Sequence, residues 1–247
     1  RRGPPFGRST QRRRRRPAGS GSAEGSPGKV LVTGAAGFIC GYVVPELLDA
    51  GHEVVVLDNF SKYGPVAKSY DGHPRYRKIT GDAKDVELLR SLAADCDQVL
   101  AAAAMIGGIS YFHEFAYDLL AENERIIAAT FDAAIDSFKA GRLKNINVLS
   151  SSMVYESAVT FPTPEGAQLG SPPPISTYGF QKLAREYFAT GSWEQYQLPY
   201  TIIRPFNSCG IGDPRARRHS AIMGGHINPA QIPVAPEQPR PIPHVRD

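Results

Sequence analysis

Residues 29–39 read KVLVTGAAGFI, and this stretch decides the fold. The apolar run predicts a buried strand, and the glycines at positions 34 and 37 predict a tight turn that leads into a helix. Such a turn lets backbone N–H groups approach a pyrophosphate, and the start of the helix adds favourable charge. Gly34 and Gly37 are therefore candidate cofactor-binding residues, together with the next two residues, Phe38 and Ile39.

A second apolar run, HEVVVLD at 52–58, ends in Asp58, 24 residues after Gly34. A carboxylate at this place can accept hydrogen bonds from the ribose hydroxyls of adenosine. It would also repel a 2′-phosphate, so the pattern favours NAD over NADP. Cys40 stands where the usual pattern has a third glycine, and it is either a small packed side chain or a reactive thiol beside the phosphate site.

Apolar runs recur along the chain and are continuous rather than alternating, at 29–33, 52–58, 97–104, 146–151 and 200–206, with a weaker strand at 75–80. Strands that are buried on both faces have this pattern, as in a parallel sheet covered by helices. Helical stretches fall between the runs, at 84–94, 111–140 and 177–190. The alternation predicts an α/β fold, a Rossmann-type doubly wound parallel sheet.

The helix at 177–190 carries both an apolar stripe and a candidate catalytic pair. The stripe, which we expect to be the buried face, consists of Phe180, Leu183, Ala184, Tyr187 and Phe188. Tyr178 and Lys182 are four residues apart and share the opposite face. A neighbouring ammonium and a positive nicotinamide ring both favour the phenolate, so Tyr178 can act as a general base toward a substrate hydroxyl.

Three serines, Ser150 to Ser152, follow a predicted strand. Ligands bind at the carboxyl edge of an open α/β sheet, so a serine hydroxyl there can hold the substrate oxygen that Tyr178 deprotonates. The serine cluster, the glycine-rich turn and the Tyr178–Lys182 pair therefore predict one site.

Charge and composition divide the chain into three parts. Residues 1–28 hold eight arginines and one acid, and we expect a basic disordered tail. Residues 29–212 form the predicted NAD-binding domain with the catalytic residues. Residues 213–247 are rich in proline, and we expect them to form a small, partial substrate-binding region. Residues 29–247 hold 20 basic and 23 acidic side chains, so only the tail could bind a nucleic acid. Because charged runs are usually solvated, no nucleic-acid partner is expected.

Several classes of protein are disfavoured by the composition. No run of 18 apolar residues occurs, so no membrane span is expected. The N-terminal residues lack the charged and then apolar pattern of a signal peptide, so secretion is not expected. Three widely spaced cysteines favour a reducing, cytoplasmic compartment. His219, His226 and His244 lack paired spacing, so no metal site is predicted.

Several separate motifs resemble the extended short-chain dehydrogenase/reductase family, in its nucleotide-sugar epimerase/dehydratase branch. They are VLVTGAAGFI, VVVLDNFS, the GD pair at 81–82, LSSSMVYE, STYGFQKLAREYF and YTIIRPFNSCGIGD. The resemblance covers residues from about Lys29 to Asp213, and PRPIPHVRD at 239–247 is similar to a further stretch of the family.

The resemblance implies roles for named residues. The implied catalytic residues are Ser151, Tyr178 and Lys182. The expected cofactor contacts are Gly34, Gly37, Phe38, Ile39, Asp58, Asn59, Asp82, Ala103, Tyr178 and Lys182. The expected contacts with a UDP- or GDP-linked sugar are Ser152, Asn207 and Arg240.

The residue before the valine–tyrosine pair of LSSSMVYE selects among the reactions of the family. Family dehydratases carry an acid there, which removes a proton from C5 of the sugar, whereas this chain has Met153. The chemistry that remains is hydride transfer, and the resemblance implies an NAD-dependent 4-epimerase that dimerises through its two long helices. A nucleotide-sugar oxidoreductase or dehydratase and a non-catalytic NAD-binding protein are the alternatives.

Overall fold

The computed structural model describes residues 26–62, 64–65, 67–106, 114–206, 208 and 210. Six strands form one sheet in this part of the chain: β1 Lys29–Thr33, β2 Glu53–Asp58, β3 Tyr76–Thr80, β4 Gln98–Ala101, β5 Asn145–Leu149 and β6 Tyr200–Ile203. The first residue of each strand lies within two residues of the predicted start of that strand. The predicted runs at 97–104, 146–151 and 200–206 extend past the ends of β4, β5 and β6, because their last residues turn out of the sheet to form its carboxyl edge.

All neighbouring strands are parallel, in the order β3-β2-β1-β4-β5-β6. β1 and β4 are neighbours in the sheet, but the chain continues from β1 to β2 on one side and from β4 to β5 on the other. A ligand crevice forms at this switch point in a doubly wound sheet. The predicted Rossmann-type fold is confirmed.

Helices cover both faces of the sheet. They are α1 Cys40–Asp49, α2 Val86–Ala93, α3 Ala116–Lys139 and α4 Thr177–Tyr196. Side chains of β1 alternate between the layers: Val30 and Val32 pack with α1, whereas Leu31 belongs to the cluster that includes residues of α2, α3 and α4. This two-sided burial is the reason for the continuous apolar runs.

The apolar stripe of α4 does not form its buried face, so that prediction was wrong. Phe180 is 45% and Tyr187 is 64% exposed. The buried positions of the helix are Gly179, Gln181, Lys182, Arg185, Glu186, Ala189 and Ser192. Helical periodicity identifies a stripe but not what covers it. Here Lys182, Arg185 and Glu186 turn inward, where they find hydrogen-bond partners near the carboxyl ends of the strands.

The limits of the described residues leave some predictions untested. Residues 1–25 and 211–247 lie outside them, so the boundaries of the tail at 1–28 and of the region at 213–247 stay predictions. No helix among the described residues is both long and apolar enough to cross a membrane.

Candidate active site

The glycine-rich turn passes very close to the chain segment that follows β4. Gly34 has a φ of +73°, and a Cβ at this position would lie 2.6 Å from the Cα of Ala103. The Gly34 N–H donates to the Leu57 carbonyl at 2.8 Å, and the Gly37 N–H donates to the Gly34 carbonyl at 3.2 Å. Only glycine fits position 34, because any side chain would collide with backbone.

The start of α1 faces the same crevice. Ile39 is its N-cap residue and makes no side-chain capping bond. The N–H groups of Gly41 and Tyr42 donate to the carbonyls of Gly37 and Ile39, both at 3.0 Å, so the helix would favour an anion mainly through the positive end of its dipole. The ring of Phe38 packs edge-on against Tyr42, with 5.5 Å between centroids. Cys40 is 2% exposed, and burial, followed by the charge of Asp58, raises the pKa of its thiol to about 12. The side chain is therefore a packed thiol at neutral pH, and the reactive-thiol alternative is not supported.

Asp58 connects β2 to the glycine-rich turn. Its Oδ2 accepts a hydrogen bond from the Ala36 N–H and its Oδ1 accepts one from the Phe60 N–H, both at 2.8 Å. Each carboxylate oxygen keeps a further lone pair for a ribose hydroxyl. The tight turn, the uncapped helix start and this acid together fit a dinucleotide.

Asn59 and Asp82 lie at the same edge of the sheet, after β2 and β3. Asn59 is exposed, and its Oδ1 accepts a bond from the Ser61 N–H at 3.1 Å. Asp82 accepts a bond from the Lys84 N–H at 2.9 Å. Both side chains are held by local turns, so their contacts with the adenosine part of a cofactor stay predictions.

Tyr178 and Lys182 lie in the first turns of α4, next to the end of β5. Lys182 is 4% exposed, and its Nζ donates to the Leu149 carbonyl at 3.2 Å. The same Nζ lies 5.7 Å from the centroid of the Tyr178 ring. Burial, and then the positive charge of Arg185, lower the pKa of Lys182 well below its usual range. The ammonium form is thus disfavoured until a negative charge arises nearby.

The three serines have separate partners. The Ser150 hydroxyl donates to Glu186 Oε1 at 2.6 Å, so Ser150 points into a buried polar cluster. Ser151 is 8% exposed, and its Oγ accepts a bond from the Met153 N–H at 3.2 Å. As an acceptor, this hydroxyl keeps its own proton to donate to a substrate oxygen. Ser152 begins the short 3₁₀ helix Ser152–Tyr155, which Ser151 caps.

Gly179 brings the catalytic helix against this 3₁₀ helix. A Cβ at position 179 would lie 2.7 Å from the Cβ of Pro174 and 2.9 Å from the Met153 carbonyl oxygen. Glu156 supports the contact, because its Oε2 accepts bonds from both the N–H and the hydroxyl of Ser176, the N-cap residue of α4. The serines and Tyr178 are therefore held in one region.

Sequence reasoning missed the buried charges behind the catalytic pair. Glu186 and Arg204 form a two-point ion pair, with Nε–Oε1 at 2.8 Å and Nη2–Oε2 at 2.7 Å. Arg185 is fully buried and donates to the carbonyls of Ala101 and Ala103. One signal was present: Glu186 follows Lys182 by four residues, as Lys182 follows Tyr178, so all three share one face of the helix.

Two predicted substrate contacts, Asn207 and Arg240, lie outside the described residues, as do His219, His226 and His244. Within the described ranges, His, Cys, Asp and Glu side chains form no group of three or more that could hold a metal ion.

Three known proteins illustrate what the chain is similar to. It is 29% identical over 194 residues to a UDP-glucose 4-epimerase of Corynebacterium glutamicum, covering 76% of this chain and 54% of that protein. The structure of a UDP-N-acetylglucosamine 4-epimerase from Methanobrevibacter ruminantium matches with a TM-score of 0.66 at 28% identity, covering 74% of this chain and 56% of that one. A double mutant of DesIV, a dTDP-glucose 4,6-dehydratase from Streptomyces venezuelae with NAD and DAU bound, matches with a TM-score of 0.68 at 26% identity, covering 79% and 62%.

The chain thus spans little more than half the length of these relatives. The family model for NAD-dependent epimerases/dehydratases matches residues 30–247. The chain belongs to the NAD-dependent epimerase/dehydratase family, which confirms the resemblance to extended short-chain dehydrogenases/reductases.

Proposed function

We propose that the protein is an NAD-dependent nucleotide-sugar 4-epimerase that acts on a UDP- or GDP-linked sugar. The observation that carries the proposal is the placement of Lys182 Nζ between the Leu149 carbonyl and the Tyr178 ring, at the sheet edge where the Gly34 turn and Asp58 also lie. The 4-epimerases among its relatives support the same assignment, and the NAD-bound dehydratase supports NAD as the cofactor.

NAD, when bound, supplies a reversible two-electron acceptor for C4 of the sugar. Tyr178 takes the proton of the C4 hydroxyl, and Ser151 donates a hydrogen bond to the same oxygen. Lys182 stabilises the phenolate as its counter-ion. Burial disfavours an isolated ammonium at position 182, and a negative phenolate beside it would favour the charged form of Lys182.

Oxidation at C4 gives a 4-keto sugar, which presents its other face after rotation and is reduced again. Tyr178 then returns the proton to the C4 oxygen. Met153 has no carboxylate to remove a proton from C5, so inversion at C4 is the expected outcome. NAD is regenerated in each cycle, and no net NADH is expected.

To test this proposal, the protein is incubated with NAD and a panel of UDP- and GDP-sugars, and C4 epimers are detected by proton NMR. One substrate of the panel should equilibrate with its C4 epimer while the absorbance of NADH stays constant. NAD binding without any epimer would overturn the proposal. A steady rise or fall of NADH would identify the oxidoreductase alternative, and loss of water from the sugar would identify a dehydratase, which the likeness to DesIV favours as second candidate.

We further propose that the protein is a cytoplasmic homodimer in which two copies pack α3 and α4 together. A groove of about 740 Å³ between these helices is lined by aromatic and aliphatic side chains, including Phe131, Ile135, Phe180, Tyr187 and Phe188. Burial of this partly exposed apolar surface supports association of two copies. Cys40 and Cys96 are free thiols, which supports a reducing compartment.

A further inference from the structure

We propose that Arg185 is a positioning residue, whose buried guanidinium sets the spacing between the catalytic helix α4 and the chain segment 101–105 beside the cofactor turn. The inference rests on the proposed function for its catalytic consequence, but its effect on NAD binding can be measured independently. Arg185 follows Lys182 by three residues and Tyr178 by seven, so all three lie on one face of the helix.

The guanidinium joins two elements that are far apart in the sequence. Nη2 donates to the Ala103 carbonyl at 3.0 Å, and Nη1 donates to the Ala101 carbonyl at 3.4 Å. The planar fork of arginine can contact two carbonyls at once, which the single ammonium of lysine does less well. Arg185 therefore holds the end of β4 against the helix that carries the catalytic pair.

The segment held by Arg185 also touches the glycine-rich turn. The N–H groups of Ala102 and Ala103 both donate to Thr33 Oγ1 at 3.2 Å. Gly34 follows Thr33 and would clash with Ala103 if it had a side chain. A series of contacts thus runs from Arg185, on the helix of Tyr178 and Lys182, through Ala103 and Thr33 to the glycine-rich turn.

The far end of the segment is fixed by α3. Asn123, fully buried, accepts a bond from the Met105 N–H and donates one to the Met105 carbonyl, both at 2.8 Å. Segment 101–105 is therefore clamped at both ends by buried polar side chains. Such an arrangement restricts where its backbone can lie, as preorganisation of a binding site requires.

Burial destabilises the positive charge of Arg185. Burial lowers the pKa of its guanidinium to about 10, and Glu124 and Tyr178 act in the opposite direction. Arg185 Nε, Glu124 Oε1 and both amide atoms of Gln181 have no hydrogen-bond partner among the described residues. Incompletely satisfied polar groups destabilise a core, and an apolar residue would fill position 185 better if only packing mattered.

The test compares Arg185→Lys and Arg185→Met with the wild type, with Arg125→Lys and Arg125→Met as matched controls on the exposed face of α3. NAD affinity is measured by calorimetry, and turnover is measured with a sugar that the wild type epimerises. Arg185→Met should weaken NAD binding by at least about tenfold and lower kcat by a similar factor, whereas KM for the sugar should change less than about twofold. Arg185→Lys, which keeps the charge, should recover part of both losses.

Folding is monitored by circular dichroism and Tm, and all assays are run well below the lowest Tm. Wild-type NAD affinity in a folded Arg185→Lys or Arg185→Met protein would overturn the proposal. Arg185→Lys alone decides the outcome if Arg185→Met does not fold. Should the wild type bind NAD without epimerising any sugar, the proposed function fails, while the NAD affinities still test Arg185.

Discussion

We propose that the burial of Lys182 makes the Tyr178–Lys182 pair, a common combination of residue types, suited to proton transfer. Lys182 Nζ donates to the Leu149 carbonyl, and little solvent reaches this side chain to stabilise its charge. A phenolate at Tyr178 supplies that stabilisation, so each charge makes the other less costly. The residue types were predicted from the i, i+4 spacing, but the burial that couples them depends on the fold.

Replacing Tyr178 by phenylalanine tests the general base. The variant lacks the hydroxyl that accepts the proton, so kcat should fall by roughly 10²–10⁴-fold, the usual contribution of a positioned acid or base. NAD affinity should stay within about threefold of the wild type. Tyr187→Phe is the matched control, because Tyr187 is 64% exposed on the other face of the helix. An active Tyr178→Phe enzyme would contradict the assignment.

Lys182→Met tests the cost of burying the ammonium. The pKa of Lys182 is lowered in the folded protein from 10.5, so the unfolded chain binds a proton that the folded protein does not. The free energy of unfolding of the ligand-free protein should therefore rise with pH between the lowered pKa and about 10.5. The variant lacks this dependence, should be more stable than the wild type at pH 7, and should be inactive.

Urea unfolding at pH 7 and pH 9 measures both effects on Lys182→Met. A variant that is less stable than the wild type and keeps its pH slope would show that the ammonium is not destabilising.

At the scale of elements, α4 shows where sequence patterns reach their limit. The helix was predicted at 177–190 and extends to Tyr196, where Gln197 ends it with a φ of +60°. Its apolar stripe was assigned to the wrong face, because the partners of Lys182, Arg185 and Glu186 lie on β4, β5 and β6. Contacts between residues so far apart in the chain leave no local periodicity.

The ion pair of Glu186 with Arg204 connects α4 to the end of β6. The two side chains are 5% and 16% exposed, so removal of one partner leaves a charge with little solvent. Glu186→Ala should lower the free energy of unfolding by roughly 3 kcal/mol. Glu194→Ala, on an exposed position of the same helix, should change it by less than about 0.5 kcal/mol. Equal urea midpoints for the two variants would contradict a structural role of the pair.

At the scale of the whole molecule, the strand order explains why distant motifs form one site. Because β1 lies between β2 and β4, the Gly34 turn meets both Asp58 and Ala103. This order was predictable, since continuous apolar runs alternating with helices favour the doubly wound sheet. The sugar contacts Asn207 and Arg240 were predicted from the family resemblance alone, and both residues fall outside the described chain.

The proposed dimer is tested by a charge in the groove between α3 and α4. Tyr187→Glu would place a carboxylate in a buried interface, so light scattering after size-exclusion chromatography should show a monomer. Tyr117→Glu, at a 78% exposed position outside the groove lining, should leave the dimer unchanged. If each of the two variants is a dimer, the interface lies elsewhere. If the wild type is a monomer, the proposed dimer is wrong.

The most direct test of the account uses a substrate sugar labelled with deuterium at C4. We expect the C4 epimer to form with the deuterium still on C4, because oxidation and reduction occur at that carbon within one active site and only the hydroxyl proton passes through Tyr178. An epimer that has lost deuterium to water, or inversion that persists in Tyr178→Phe, would contradict it.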